Sequence, residues 1–274
     1  GYHPKLKDKR VILKLKKSTY GMKQSAHLFY KNVSSDLAKL GFKKSKSSPC
    51  LFRKYYDGNV ALLVIHVDDG AYFARHREYI AEDMKKLKRK YKLDYEPLNW
   101  YVGLKIDRKE KAIFVSCKAY IETCYFRFEG QLIKPRSIPA VEMPQPWEGD
   151  SDCRRALYME LIGCLIYIAN ACRPDVSMIT SALAAHLGNP SPDHVSIAKG
   201  VLSYLYQTRN KGLHYKKKGV PGSTDKNILK NMKLSAYFDS DFITCKTRKS
   251  RSGILVYYND CLVCWVSKKQ TLRA

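Results

Sequence analysis

The sequence predicts a mixed α+β fold in which antiparallel sheets pack against helices. Two observations support this prediction. Hairpin patterns alternate with helical patterns in the first part of the chain, and three helical patterns then follow before strand patterns return. The predicted helices span residues 25–42, 77–91, 154–172, 174–188 and 192–209, and the predicted strands span residues 50–55, 60–67, 100–107, 112–115, 233–238, 253–258 and 261–266.

The composition predicts a globular protein with a polyanionic partner. The chain has 274 residues, of which 45% are hydrophobic, enough to bury a core. It carries 50 Lys and Arg against 25 Asp and Glu, a formal charge of +25. Nucleic acid is the partner that this charge favours, with an acidic membrane surface as the alternative. Because no apolar run approaches the roughly 18 residues of a membrane span and no leader is evident, we expect a soluble, intracellular protein.

The first helix and the hairpin that follows it have clear boundaries. Apolar residues recur at helical spacing between residues 25 and 42, and Gly41 stands where the helix should end. The hairpin turn falls at Asp57-Gly58, a dipeptide that favours the positive φ angles of a tight turn. The second strand, Val60 to Ile65, is an uninterrupted apolar run, so we expect both of its faces to be covered.

Asp68 and Asp69 are the sharpest local signal for chemistry. They directly follow the apolar strand and precede Gly70, a pattern typical of a hairpin tip. Adjacent carboxylates repel one another unless solvent or a cation offsets the repulsion, and oxygen ligands of this kind bind Mg²⁺. The pair therefore suits two-metal phosphoryl transfer, while an ordinary exposed turn is the alternative.

The second half of the chain is punctuated by proline. Closely spaced prolines between residues 134 and 152 predict a loop or hinge, and Pro174 is placed to start a helix. Residues 217–230 form a predicted linker. The strands that follow lie within residues 231–274, which are too few for a typical independent domain.

The cysteines predict free thiols instead of a disulfide framework. There are nine of them, and Cys50, Cys164 and Cys172 stand in apolar surroundings that favour burial. Cys261 and Cys264 form a C-x-x-C pair with no second pair after it, so we expect strand packing there in preference to zinc binding.

Several motifs, in the correct order, resemble the reverse transcriptase region of copia-type long-terminal-repeat retrotransposons. Residues 14–24 resemble K-L-x-K-S-L-Y-G-L-K-Q, residues 65–69 stand in place of Y-V-D-D, and residues 101–106 resemble F-L-G-I-x-I. The longest match, residues 158–180, resembles Y-R-x-L-I-G-S-L-x-Y-L-x-x-x-T-R-P-D-I. Segments near the C-terminal end, at residues 236–242, 248–253 and 265–270, resemble the opening of the family's ribonuclease H domain.

The resemblance implies an RNA-directed DNA polymerase that extends a primer on an RNA or DNA template, using deoxynucleoside triphosphates and Mg²⁺, with Mn²⁺ as an alternative. It further implies that the rest of the Pol polyprotein is a partner, that no membrane is involved, and that the protein is cytoplasmic, in virus-like particles, with a nuclear phase. The implied domains are partial fingers and palm (1–115), a helical thumb and connection (116–216), the linker (217–230) and the N-terminal part of a ribonuclease H-like domain (231–274).

The resemblance also implies site residues. Asp68 and Asp69 would be polymerase carboxylates and metal ligands, and Asp239 would be the first ribonuclease H carboxylate and a metal ligand there. The residues implied to contact nucleic acid or nucleotide are Tyr20, Lys23 and Gln24, near the template and incoming nucleotide, and Trp100 and Gly103, in a hairpin that holds the primer end.

Departures from the family pattern leave a second hypothesis open. The third polymerase aspartate expected before residue 14 and the ribonuclease H glutamate expected after residue 270 have no match in the sequence. His66 replaces the tyrosine before V-D-D, and Ala26 replaces a proline. We therefore expect both centres to be incomplete and the chain alone to be inactive. The alternative function is a catalytically dead, basic nucleic-acid-binding remnant of such an element.

Overall fold

The computed structural model confirms a mixed α+β fold with antiparallel sheets. It describes residues 18–19, 21–128, 134–149, 155–216, 233–241 and 249–271. The chain forms two compact units, Gly1–Pro97 and Leu98–Ala274. The predicted linker at residues 217–230 lies outside the described residues, and the functional domain boundaries stay predictions. Within the described ranges, no helix combines the length and the apolar character that crossing a membrane requires.

The first unit is a four-stranded antiparallel sheet with two helices. The strands pair in sequence order, and the predicted turn forms at Asp57 and Gly58, both with positive φ. Gly41, with φ of 90°, follows the first helix as predicted. The elements are α1 (Ser25–Lys39), β1 (Lys43–Lys44), β2 (Leu51–Tyr56), β3 (Asn59–His66), β4 (Asp69–Phe73) and α2 (Arg77–Lys88).

The helices of the first unit cover only one face of its sheet, so the prediction that both faces of β3 are covered is wrong. Leu37 of α1 and Leu87 of α2 pack with Leu63 of β3 in one core cluster. On the other face of β3, Val60 and Leu62 are 47% and 36% exposed. β3 is central because β2 and β4 pair with its two edges. Pairing at both edges satisfies the backbone but leaves the second face open.

The second unit contains two antiparallel sheets and a group of helices. Its sheets have the strand orders β5-β6-β7-β8 and β11-β10-β9. The elements are β5 (Trp100–Tyr101), β6 (Leu104–Lys109), β7 (Ala112–Ser116), α3 (Lys118–Arg127), α4 (Arg155–Ala171), a 3₁₀ turn (Pro174–Val176), α5 (Ser177–Ala184), α6 (Pro192–Gln207), β8 (Leu213–Lys216), β9 (Leu234–Ser240), β10 (Arg251–Tyr258) and β11 (Cys261–Lys269).

Three features of the second unit differ from the predicted elements. The predicted strand at residues 100–107 is interrupted by a tight turn at Val102-Gly103, which separates β5 from β6. The structure also contains α3 and β8, which the sequence patterns do not predict. Helix α3 nevertheless buries Ile121, Cys124 and Tyr125, which recur at helical spacing and pack into the main core of the unit.

Arg173 joins the start of α5 to the end of α6. Its side chain is 1% exposed. Its Nε and Nη2 donate to the two carboxylate oxygens of Asp175 at 2.9 and 2.7 Å, and Nη1 donates to the carbonyl of Thr208 at 3.1 Å. The bidentate pair satisfies a buried guanidinium, because both donors face a planar carboxylate. Pro174 begins the 3₁₀ turn that leads into α5, in agreement with its predicted place at the start of a helix.

The proline-rich segment is a loop held against the helices. The described residues 134–149 contain no helix or strand, which confirms the loop. Ser203 Oγ donates to the carbonyl of Lys134 at 3.0 Å, and His194 Nε2 lies 2.7 Å from the carbonyl oxygen of Gln145. Contacts at two separated points of the segment bind it to α6.

The C-terminal sheet packs on the helices of the second unit. Trp265 Nε1 donates to the carbonyl of Ala169 at 2.8 Å, and Leu262 and Trp265 pack against the main core. The three strands therefore share a core with the helices, in line with the expectation that they are too few to stand alone.

The structure confirms some of the cysteine predictions and contradicts one of them. Cys164 and Cys172 are buried as predicted, but the predicted burial of Cys50 is wrong, because Cys50 is exposed before β2. Cys261 and Cys264 both lie in β11, as the strand interpretation requires.

Candidate functional site

Asp68 and Asp69 lie at the exposed tip of the β3–β4 hairpin. His66 and Asp69 form the last paired positions, so Val67 and Asp68 make a two-residue turn. Both carboxylates are solvent-exposed. The predicted hairpin tip is therefore present, and it presents two neighbouring carboxylates to solvent.

The turn that carries Asp68 is conformationally strained at Val67. Val67 has φ of 52°, a left-handed conformation that β-branched residues rarely adopt. Its side chain is more than half exposed, so burial of the valine contributes little free energy to offset the strain. Strain of this kind persists where the surrounding structure imposes it, and it is frequent at functional sites. The backbone next to the two carboxylates is thus held in one conformation by the paired strands.

Asp69 belongs to the open face of the sheet. Side chains alternate between faces along a strand, and directly paired residues share a face. His66 pairs with Asp69, and Leu62 pairs with Phe73. Positions 62 and 66 of β3 therefore lie on one face, together with Asp69 and Phe73. One end of an exposed, partly apolar sheet face thus carries a carboxylate.

A buried ion pair lies on the opposite, covered face of the sheet. Asp83 of α2 is fully buried, and its Oδ1 accepts a hydrogen bond from Lys54 Nζ of β2 at 2.6 Å. Its Oδ2 accepts hydrogen bonds from Tyr72 of β4, at 2.6 Å, and from Tyr56 of β2. These contacts connect α2 to the strands on both sides of β3.

The surroundings fix the charge states of this cluster. Burial of Lys54 disfavours its charge, but the hydrogen bonds to Asp83 and Tyr56, together with the attraction of the Asp83 charge, outweigh this effect, and the pKa of Lys54 is raised. Burial and the adjacent Asp83 carboxylate also raise the pKa of Tyr72. Lys54 therefore stays cationic and Tyr72 stays neutral at ordinary pH. The sequence offered a signal for this cluster, because Asp83 interrupts the apolar face of α2 between Ile80 and Leu87.

Lys23 and Gln24 lie at the start of α1, in the same unit as Asp68. Both are exposed, and Gln24 is the N-cap residue without a side-chain capping hydrogen bond. Ser25 Oγ donates a hydrogen bond to the carbonyl of Thr19 at 2.6 Å, which links the first residue of α1 to the chain before the helix. Tyr20, the third residue of this predicted group, lies outside the described residues.

Trp100 and Gly103 lie in the short β5–β6 hairpin of the second unit. Val102 and Gly103 both have positive φ, 47° and 78°. Tyr167 of α4 donates its hydroxyl to the carbonyl of Val102 at 2.7 Å, and a Cβ at Gly103 would come within 2.5 Å of that hydroxyl. Glycine is therefore favoured at position 103 both by the positive φ angle and by the lack of room for a Cβ atom. The side chain of Trp100 is exposed.

Asp239 is exposed on the edge strand β9 of the second unit. It pairs with Gly253 of β10, and its Oδ1 accepts a hydrogen bond from the Ser240 amide at 2.8 Å. Asp241, two residues on, accepts a hydrogen bond from the Arg251 amide. The predicted ribonuclease H carboxylate thus lies on an accessible strand.

The donor atoms of Asp68 and Asp69 are suited to a hard cation. Mg²⁺ binds through one or two carboxylates together with water and phosphate oxygens, and these residues supply two exposed carboxylates. In the part of the chain that the structure describes, no group of three or more His, Cys, Asp or Glu could hold a metal ion. The two aspartates therefore fit a partial ligand set that further oxygen donors would complete.

Comparisons with known proteins agree with the motifs. A family model described as "Reverse transcriptase (RNA-dependent DNA polymerase)" matches residues 3–142, about half of the chain. No solved structure matches the chain significantly.

Three of the similar curated proteins are Pol polyproteins of plant transposons. The "Retrovirus-related Pol polyprotein from transposon TNT 1-94" of Nicotiana tabacum is 28% identical over 275 residues, which is 96% of this chain and 20% of that protein. The corresponding polyproteins from transposons RE1 and RE2 of Arabidopsis thaliana are 27% and 25% identical, each over 94% of this chain and 17% of the relative. The chain thus spans at most about a fifth of the length of these relatives.

Proposed function

Because the chain belongs to the reverse transcriptase (RNA-dependent DNA polymerase) family, we propose that it is part of an enzyme that adds deoxynucleotides to a primer on an RNA or DNA template. One observation carries the proposal: Asp68 and Asp69 lie at an exposed hairpin tip, at the end of an open sheet face. This arrangement leaves the carboxylates accessible to a duplex and to cations.

The polymerase step would depend on positioning and charge. Asp68 and Asp69 would hold Mg²⁺, or Mn²⁺ in its place, and a metal bound there would activate the primer hydroxyl and stabilise the leaving oxygen. The apolar open face next to Asp69 would support the primer strand. The Lys54–Asp83 ion pair on the covered face would hold the sheet against α2 and so keep the hairpin in position when the charged substrate binds.

Other residues would bind the nucleic acid. Lys23 and Gln24, with Tyr20, would contact the template and the incoming nucleotide. Trp100 would contact the primer end, and Gly103 would let the backbone approach it closely. In this proposal residues 1–115 are palm and partial fingers, residues 116–216 are thumb and connection, and residues 231–274 begin a ribonuclease H-like domain in which Asp239 binds a cation.

The cellular setting belongs to the same proposal. The chain would work with the remainder of a Pol polyprotein, in cytoplasmic virus-like particles and with a nuclear phase. Its centres would be completed by a further aspartate and a glutamate from adjoining segments, so we expect residues 1–274 alone to be inactive.

Primer extension tests the polymerase assignment. The chain is produced with its adjoining upstream segment and compared with Asp68→Asn and Asp69→Asn variants. Loss of a charged group at the reacting centre should lower the extension rate by about 100-fold or more. Asp57→Asn is the matched control, because Asp57 lies in the turn at the other end of β3 and should leave activity unchanged. Equal extension by Asp68→Asn and the Asp57→Asn control would refute the assignment.

A second candidate function is binding of nucleic acid without catalysis. The charge of +25 and the presence of His66 before the aspartates favour it. This function predicts salt-sensitive binding of primer-template with no Mg²⁺-dependent synthesis, even when the upstream segment is restored. Synthesis that appears in His66→Tyr alone would locate the defect at residue 66.

A further inference from the structure

Two buried cysteines of the second unit are in contact with one another. Cys117 is the N-cap residue of α3, and Cys172 directly follows the last residue of α4. Their Sγ atoms are 2.8 Å apart, and each residue is only 1% exposed. Both thiols are free in the structure. The polymerase assignment uses neither of them.

A bond between the two sulfur atoms would need little movement. A disulfide has an S–S length of about 2.05 Å, so the sulfur atoms would approach by less than about 1 Å. Hydrogen bonds hold the backbone at both positions. The Cys117 carbonyl accepts the Ile121 N–H at 3.0 Å, and the Cys172 N–H donates to the Ile168 carbonyl at 3.3 Å. The fold therefore positions the two thiols for a reaction with each other.

The surroundings give the two thiols different reactivities. A hydrogen bond from the Cys117 thiol lowers the pKa of Cys172, and the Cys117 backbone N–H acts in the same direction. The charge of Arg173 adds to this effect, whereas burial opposes it. The hydrogen bond with Cys172, followed by burial, raises the pKa of Cys117. Because the thiolate is the reactive form of cysteine, Cys172 is the better nucleophile of the two.

A second pair of cysteines at the same helix interface offers a comparison. Cys124 of α3 and Cys164 of α4 are also buried in the main core. Burial and the neighbouring Cys164 raise the pKa of Cys124 to about 12. Cys124 therefore stays protonated at physiological pH, and we expect oxidation to favour the Cys117–Cys172 pair.

We propose that hydrogen peroxide oxidises Cys117 and Cys172 to a disulfide. The Cys172 thiolate attacks one peroxide oxygen, the O–O bond breaks, and the hydroxide that leaves takes up the proton released by Cys172. The Cys117 sulfur then attacks the sulfenic acid formed at Cys172. The S–S bond forms as the S–O bond breaks, and the oxygen leaves as water with the Cys117 proton. Two thiols thus lose two electrons, and one peroxide becomes two molecules of water.

The burial of the pair restricts which oxidants can reach it. Hydrogen peroxide is little larger than water, so a small local opening of the core admits it. Oxidised glutathione would have to form a mixed disulfide with Cys172 before Cys117 could displace it, and a buried site lacks room for that intermediate. We therefore expect the folded protein to react with the peroxide and not with oxidised glutathione.

The disulfide would fasten the start of α3 to the end of α4. Residue 173, which follows Cys172, already bonds to Asp175 and to the carbonyl of Thr208 at the end of α6. The cross-link would therefore extend an existing anchor between helices. It would join cysteines 55 residues apart, and a loop of that length restricts the unfolded chain substantially. Oxidation should thus stabilise the second unit.

Peptide mapping of the oxidised protein tests the proposal. The full chain is treated with hydrogen peroxide, alkylated in denaturant and digested without reduction, and mass spectrometry identifies the linked peptides. We expect a Cys117–Cys172 link in the wild type and in Cys50→Ala, the control, because Cys50 is exposed and lies outside the pair. Absence of this link from the wild type, or a Cys124–Cys164 link in its place, would overturn the proposal.

Serine variants assign the order of the two steps. Cys117→Ser keeps a hydrogen-bond donor but removes the second thiol, so oxidation of Cys172 should stop at the sulfenic acid, which dimedone labels as the protein is unfolded. In Cys172→Ser, Cys117 should stay unlabelled, because its pKa is raised. Equal labelling of the two variants would contradict Cys172 as the nucleophile.

Thermal unfolding measures the consequence of the cross-link. Peroxide should raise the melting temperature of the wild type by about 5 °C or more, and it should not raise that of Cys117→Ser. An equal rise in both proteins would exclude the cross-link as its cause. These measurements involve no polymerase activity, so they are independent of the primer-extension result.

Discussion

The Nζ of Lys54 lies 2.6 Å from Oδ1 of Asp83, and this ion pair joins β2 to α2 on the covered face of the sheet. Because Asp83 also accepts a hydrogen bond from Tyr72 of β4, one carboxylate is bonded to both strands that flank β3. The Asp83 carboxylate of α2 therefore fixes the sheet that carries Asp68 and Asp69, through its bonds to Lys54 of β2 and Tyr72 of β4.

Replacing Asp83 should destabilise the first unit. Asp83→Asn keeps the size of the side chain but leaves Lys54, a cation that is only 13% exposed, without its counter-ion, which should lower the free energy of unfolding by about 3 kcal/mol. Urea denaturation followed by circular dichroism measures the change. Asp94→Asn is the control, because Asp94 is almost fully exposed and its replacement should cost less than about 0.5 kcal/mol. Similar midpoints for both variants would contradict a role for the buried pair.

Stability should fall in acid through Asp36. Hydrogen bonds from Lys90 and Tyr91, both at 2.5 Å, lower the pKa of Asp36 from 3.8 to about 2. Since the folded-state pKa is depressed, the contribution of Asp36 is complete above pH 3.8 and is lost as the pH falls toward 2. Unfolding free energies measured between pH 5 and pH 2 should decline less steeply in Asp36→Asn. Parallel pH profiles for the variant and the wild type would disprove this linkage.

Relief of the strained turn should stabilise the hairpin. Val67→Gly removes an exposed valine from a conformation that costs a side-chain-bearing residue about 1 to 2 kcal/mol, and part of this gain is offset by the entropy of glycine. We expect the free energy of unfolding to rise by about 0.5 kcal/mol. In a primer-extension assay the same variant should be slower, because the turn that positions Asp68 is freed. Val60→Gly, on the strand itself, should destabilise instead.

The β5–β6 turn offers a double-mutant cycle. Gly103→Ala should destabilise the second unit by about 2 kcal/mol, because it combines a positive φ with a close approach to Tyr167. Tyr167→Phe should cost about 1 kcal/mol through loss of the hydrogen bond to Val102. The double variant should be less destabilised than the sum of the two, since the hydroxyl is the atom nearest the added methyl. Strict additivity would show that Tyr167 does not constrain residue 103.

Local patterns determined most of the secondary structure. Helical spacing and Gly41 predict where α1 begins and ends, and Asp57-Gly58 predicts the turn of the β2–β3 hairpin. These signals act over only a few residues of the chain. The position of Asp68 and Asp69 at a hairpin tip follows in the same way, because an apolar strand cannot continue through adjacent charges. The family followed from ordered motifs.

Tertiary structure decided which surfaces are covered and which side chains meet. The sequence of β3 does not record that helices pack on only one face, and nothing local to Lys54 identifies Asp83, 29 residues away, as its partner. The Arg251–Lys269 pairing likewise depends on the strand register of the C-terminal sheet. Patterns along the chain fix local conformation because its causes are local, whereas burial and charge pairing depend on contacts between distant segments that form only when the chain folds.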